Sequence, residues 1–231
     1  MSEPVLRADA QRNRDQVVAA ATSLFLEVGP DVALETVARE AGVGIGTLYR
    51  RFPDREALLR AVLQDALEGL LTDMRSARDG EPTAWAALVG ALGWSHRLRV
   101  VLTLTGSLTG PLTGPTTGPT TTTGPTTTAA PTTAGSADRA HDAGLVHVRD
   151  ELVDLVDELV GAAQREGSLR SDVATGDVIL LMAAVSRGLP RGTASAANAY
   201  TRAHALVLDA LRAPAATRLP GEPTRVGDLP I

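Results

Sequence analysis

The chain has 231 residues, 44% of them hydrophobic and 21% charged, with a net charge of −5; this is room for one good-sized domain, or a small domain joined to a larger one. The negative balance argues against a general polyanion binder, so any nucleic-acid contact must come from locally concentrated positive charge. The lack of cysteine excludes a disulfide framework and a thiolate metal site, and fits a reducing compartment.

The opening "MSEPVLRADAQRNRD" has no apolar run of the signal-peptide kind, and no later run is long enough to span a membrane. The expected location is cytoplasmic, with no membrane partner. Residues 1–9 read as a disordered arm. Residues 10–28 read as a helix, with Val17, Ala20, Ala21, Leu24, Phe25 and Val28 at helical spacing and Gly29-Pro30 as its stop. A short helix follows from about Leu34 to Ala41, ended by Gly42. Another covers about Ile45 to Arg51, and Pro53 prevents its continuation. Asp54 is placed as the N-cap of a fourth helix reaching about Arg78.

Trp85 to about Val101 predicts one further helix. From Val100 to Ala137 there is then no charged residue. The loose Thr-Gly-Pro repeat within residues 103–137 predicts a disordered or polyproline-like interruption. Order is expected to resume near Gly144, with Leu145, Val148, Leu152, Leu155, Leu159 and Ala163 as a stripe closed by Gly167. Thr175 is a candidate cap for "DVILLMAAVSRGL", and a last helix is predicted from about Ala194 to Leu211. Residues 214–231, with four prolines, read as a flexible tail. No alternating strand pattern is present. The predicted fold is all-α, with a small helical unit over 10–53 and a larger helical unit over 54–213.

The segment "REAGVGIGTLYRRF" carries three alternating glycines, Gly42, Gly44 and Gly46. A dinucleotide fingerprint would need a preceding strand and a third glycine where Thr47 stands, and a P-loop would need a lysine that the chain lacks. Helix–turn–helix geometry fits instead: Ala38 is small where the helices meet, Gly42 suits a left-handed turn, and Val43 and Leu48 plug the gap. From Gly44 to Arg60, four arginines stand against Asp54 and Glu56, a local excess of two positive charges.

Val37, Ala38, Ala41, Gly42, Val43, Thr47, Leu48, Tyr49, Phe52, Arg55, Glu56 and Leu58 together resemble the N-terminal domain of the TetR family of bacterial transcriptional regulators, over about residues 10–60. The resemblance implies a homeodomain-like three-helix DNA-binding domain followed by a helical effector-binding and dimerisation domain. It implies that Thr47 and Tyr49 contact DNA, with Arg50 and Arg51 adding phosphate or base contacts. Gly44, Ile45 and Gly46 would let the recognition helix come close to the duplex, and Arg55 and Thr36 would meet phosphates. Arg7, Arg12 and Arg14 could reach the flanking backbone. The implied partners are an operator duplex, a second copy of the chain and an unidentified small-molecule effector.

The effector pocket is expected among the fourth helix, the Trp85–Val101 segment and the Leu145–Gly167 helix, with Trp85, Trp94, His96 and Met182 as candidate lining residues. His147 and Glu151 stand four apart on one helix, but two residues do not make a metal site, and no cofactor or metal is expected. No nucleophile–base pair or metalloprotease motif points to an enzyme. The expected function is a ligand-responsive dimeric repressor. The alternative is a helical protein-interaction or ligand-sensing module on the same scaffold that has lost operator binding.

Overall fold

The computed structural model describes residues 3–93, 95–108, 134–188, 194–215 and 217–229. Among these the elements are helices α1 (Glu3–Glu27), α2 (Leu34–Glu40), α3 (Ile45–Arg51), α4 (Arg55–Gly80), α5 (Ala84–Leu92), α6 (His96–Leu108), α7 (Ala134–Arg165), α8 (Thr175–Gly188) and α9 (Ala194–Leu211), with a 3-10 turn at Val226–Asp228. The only β element among the described residues is an isolated antiparallel bridge between Leu169 and Arg212. The all-α prediction stands.

The long helix α4 is the spine of the molecule. Asp54 caps it by accepting the Ala57 N–H at 2.7 Å, as its position in the sequence predicts. Ten of its side chains, from Leu58 to Met74, are buried and occupy more than one face. It needs those faces because it packs against α1, α5, α6 and α7. A helix apolar on several sides is stable only when surrounded.

Four boundaries differ from the sequence expectation. α1 begins at Glu3, within the segment expected to be a disordered arm. Pro4 falls in its first turn, where the missing N–H costs nothing, so it does not stop the helix. The expected Trp85–Val101 helix is two helices. Gly93 breaks it at φ −52° and ψ 158°, where a Cβ would meet the Val89 carbonyl oxygen at 2.9 Å. Ser95 then restarts the chain as α6, its Oγ accepting the Leu98 N–H at 3.0 Å.

The predicted interruption at 103–137 is also narrower at both ends. α6 reaches Leu108, and α7 begins at Ala134 rather than near Gly144. The intervening residues lie outside the described set. Finally, Thr175 is not a cap. It is the first residue of α8, is buried, and donates its hydroxyl to Asp157 of α7.

Residues 214–231 were expected to be a flexible tail, but the described part is a strap. Asp172 takes the Arg170 guanidinium at 2.6 and 2.9 Å and the Leu219 N–H at 2.8 Å. Arg170 also donates to the Thr217 carbonyl, and Asp177 accepts the Thr224 N–H at 3.1 Å. The strap crosses so close to α8 that a Cβ on Gly176 would meet the carbonyls of Thr224 and Arg225.

The Arg170 hydrogen bond holds the Asp172 carboxyl well below the usual carboxylate range. At Asp177 burial pulls the other way, but the N–H donors of Ala174 and Thr224 leave it lowered too. A depressed carboxylate stabilises the fold above its unfolded pKa and loses that contribution as pH falls through its folded value. The Leu219 and Thr224 amides are therefore expected to stay fully protected from hydrogen exchange above about pH 4 and to lose protection progressively below it, completely only once pH has fallen through the depressed folded values. Protection unchanged in strong acid, below those folded values, would show that the strap does not depend on these carboxylates.

Candidate nucleic-acid interface

Helices α2 and α3 meet at the turn Ala41–Gly44. α2 ends in a Schellman motif: Gly42 N–H reaches the Arg39 carbonyl at 3.2 Å and Val43 N–H reaches the Ala38 carbonyl at 3.0 Å. Gly42 has φ +67°, the left-handed region that glycine enters without steric cost. The two helices are locked by Leu34, Val37, Ala38, Leu48 and Phe52, all buried. Phe52 leaves α3 in an extended conformation, as the residue before a proline must.

That core fixes which side of α3 faces outward. Leu48 is fully buried. Gly46 and Arg50, two residues to either side, fall on the opposite face of a helix with 3.6 residues per turn. Ile45, Gly46, Tyr49, Arg50 and Arg51 are exposed, and Thr47 is half-buried. Tyr49 is 44% exposed and Ile45 39%, large for side chains of their kind. Arg50 Nη2 donates to Thr47 Oγ1 at 3.2 Å, so two of the expected contact residues hold each other's orientation.

Gly44 and Gly46 differ from Gly42. Neither has positive φ. A Cβ on Gly46 would meet nothing within 4 Å, and one on Gly44 would touch only Thr47 Oγ1 at 3.9 Å. Neither the turn nor the core requires these two glycines.

Arg55 has a use that the sequence did not predict. It is half-buried at the first turn of α4, and its Nη1 donates to the Pro30 and Val32 carbonyls, the latter at 2.8 Å. It thereby ties α4 to the α1–α2 turn. Its partners lie 23 and 25 residues away, beyond any local pattern. Thr36 is half-buried near the start of α2. Arg14 forms a 3.6 Å ion pair with Asp15. Arg60 pairs with Glu56 at 3.8 Å and its side chain is only 17% exposed.

The pocket residues are not brought together. The space among α4, α5 and α7 is filled by Leu70, Met74, Leu88, Leu155 and Leu159, all buried. Trp85 is buried with Arg212 over its ring at 5.4 Å. His96 is exposed, and Trp94 lies outside the described residues. Of the four, Met182 lines an enclosed cavity, and that cavity lies among α6, α8 and α9. His147 and Glu151 are 3.3 Å apart, and Glu151 also takes Arg75 of α4 at 2.9 Å. The pair thus joins an α4–α7 bridge. Among the described residues no helix is long and apolar enough to cross a membrane.

Residues 17–62 match the family described as "Bacterial regulatory proteins, tetR family". Residues 121–213 match the "Transcriptional regulator SbtR-like, C-terminal domain". Helix–turn–helix-type transcriptional regulators of Staphylococcus aureus are 36% identical over 75 residues; the matched stretch is 32% of this chain and 40% of those curated relatives' length. The structure of a TetR transcriptional regulator from Streptomyces coelicolor superposes with a TM-score of 0.55 at 29% identity, covering 87% of this chain and 99% of that one. The corresponding values for a TetR regulatory protein from Mycobacterium vanbaalenii are 0.54, 25%, 90% and 99%.

Proposed function

We propose that this chain, which belongs to the TetR family of bacterial regulatory proteins, is a DNA-binding transcriptional regulator that reads a near-palindromic operator as a dimer in the cytoplasm. Its role is regulatory rather than catalytic. The observation that carries the reading is the outward face of α3: Gly46 and Arg50 opposite the buried Leu48, flanked by exposed Ile45, Tyr49 and Arg51. A short helix held by its back and polar along its front is what a major groove admits. Thr47, Tyr49, Arg50 and Arg51 supply the contacts, with Arg50 and Arg51 the best shaped for guanine edges or phosphates. Thr36 is a flanking phosphate contact.

Two reading heads need a dimer, because half-sites one turn apart lie about 34 Å from each other. The helices α8 and α9 expose Leu180, Leu181 and Leu206 at 40%, 38% and 67%, an apolar face suited to a second copy of itself. An effector that changes the setting of α4 would change the spacing of the heads.

The test is selection of duplexes from a random pool by the protein itself, followed by footprinting. Enrichment of a two-fold symmetric site with steeply salt-dependent affinity supports the reading, and no enrichment at any salt concentration sinks it. On the selected site, Arg50→Ala is expected to cost about 1–3 kcal/mol per half-site and to relax preference at one symmetric pair of positions. Gly46→Ala separates the interface from the fold. The added methyl has free space and favours helix, so stability should hold or rise by up to about 1 kcal/mol, while operator affinity falls. An alanine there that leaves affinity intact removes Gly46 from the interface.

A further inference from the structure

The outward face of α3 divides into two flanks of different chemistry. At 3.6 residues per turn, Gly46 and Arg50 run along its middle, Ile45 and Tyr49 along one side, and Thr47 and Arg51 along the other. Arg50 leans to the second side, where its Nη2 donates to Thr47 Oγ1. The first side is left as a ridge of two large exposed side chains, Ile45 and Tyr49. Tyr49 has a hydroxyl for a polar partner. Ile45 has none, and the fold gives its side chain no use: Val43 and Leu48 around it pack into the core, and Ile45 lies outside it. As a β-branched residue opening a seven-residue helix, it adds little to helix stability either.

An aliphatic side chain on a DNA-facing surface has one match. In the major groove guanine presents the acceptors N7 and O6, cytosine the N4 donor, and adenine N7 with the N6 amino group. Ile45 pressed against any of these would strip water from a polar atom and return no hydrogen bond. Thymine adds the C5-methyl, the one apolar substituent that the four bases carry there. The surroundings of Ile45 allow such a contact. Gly44 and Gly46 on either side carry no side chain; a Cβ would touch only Thr47 Oγ1 at 3.9 Å in the first case and nothing within 4 Å in the second. The ridge is also continuous with exposed Arg50 and Arg51, whose charge holds a phosphate backbone against the same helix.

We propose that Ile45 is a specificity-determining residue, packing on the C5-methyl of one thymine in each half-site. Arg50 lies further along α3, about 7.5 Å on by helical rise and toward the other flank, so that thymine belongs to a base pair other than the one Arg50 reads. The inference rests on the regulator reading above and names what its apolar flank reads: a methyl, by shape, with no hydrogen bond and no phosphate. Ile45 therefore contributes to sequence preference and not to the salt dependence of binding.

The experiment uses the full chain and the duplex it selects from a random pool. Each thymine of the site is replaced in turn by deoxyuridine, which removes the methyl and leaves every hydrogen-bonding group in place, and affinities are compared at matched salt. The expected result is one symmetric pair of thymines at which uracil weakens wild-type binding about fourfold per half-site, the transfer cost of one methyl. At that pair Ile45→Ala should bind thymine and uracil alike, while Ile45→Val keeps part of the discrimination. Cytosine there should weaken wild-type binding, and 5-methylcytosine should recover part of the loss. The preference that Arg50→Ala relaxes should lie at another pair of positions and survive in Ile45→Ala, with the salt slope unchanged. Uracil tolerated at every thymine, a selected site without thymine, or uracil discrimination that persists in Ile45→Ala overturns the assignment, and so does a reduced salt slope. The uracil comparison uses wild-type protein, so it stands whatever Ile45→Ala does to folding. A selected duplex indifferent to its methyls removes this inference and leaves the regulator reading standing; no selected duplex removes both.

Discussion

Leu206→Asp is expected to leave the protein folded, shift it from dimer to monomer, and weaken binding to a two-half-site duplex by about 100-fold or more. Leu206 is 67% exposed on α9, so an aspartate there meets solvent in a single copy and costs the fold little. Buried against a second copy in the proposed dimer face, the aspartate would be desolvated with no counter-charge. The loss in DNA affinity follows from linkage. In the dimer the second head binds at a high effective concentration once the first is placed, which is worth about 10²–10⁴ in affinity without any new contact. Leu181→Asp on α8 should behave alike, because it exposes 38% of its surface on the neighbouring helix. Sedimentation reads the mass and a salt-matched binding isotherm reads the affinity. A variant still dimeric at micromolar concentration places the interface on another face.

The parts legible in the sequence are those that local chemistry decides. Asp54 caps α4, Gly42 makes the left-handed turn, Gly167 ends α7 at φ +73°, and Leu48 turns inward, each as its near neighbours dictate. Gly93 and Ser95 were also local signals, a helix breaker followed by a capping hydroxyl, and together they divide α5 from α6. Their neighbours Trp85 to Val101 are apolar enough that the helical period runs through the break unnoticed. Other features depend on residues far apart in the chain. The strap is held because Asp172 and Asp177 face amides 47 residues later. Periodicity carries no information on such a pairing. The cavity could not be placed for the same reason: it depends on how α8 and α9 lie against α6, and the three meet only after folding.

Arg55 is where the resemblance and the geometry make different demands, and a salt titration separates them. A phosphate contact predicts that Arg55→Ala lowers the slope of log affinity against log salt by about 0.9 for each protomer, because one fewer counterion is released per head. Within the structure Arg55 Nη1 donates to the Pro30 and Val32 carbonyls. Charge-assisted hydrogen bonds of this kind are worth about 1.5–3 kcal/mol each, and removing the donor strands two acceptors in a part-buried turn. Arg55→Ala is therefore expected to destabilise the helix–turn–helix unit by about 2–4 kcal/mol, read by urea unfolding. It should also loosen the angle between α1–α3 and α4 and weaken operator binding about tenfold or more with the salt slope unchanged. An intact slope with lost affinity identifies a residue that positions the head; a slope reduced by about 1.8 across the dimer, with stability retained, identifies one that touches DNA. The first outcome has a consequence for signalling. If α4 and the reading head are rigidly tied through Arg55, a displacement of α4 arrives at α3 undiminished. If they are not, the same displacement is absorbed at the joint, and Arg55→Ala should bind its effector while failing to release DNA.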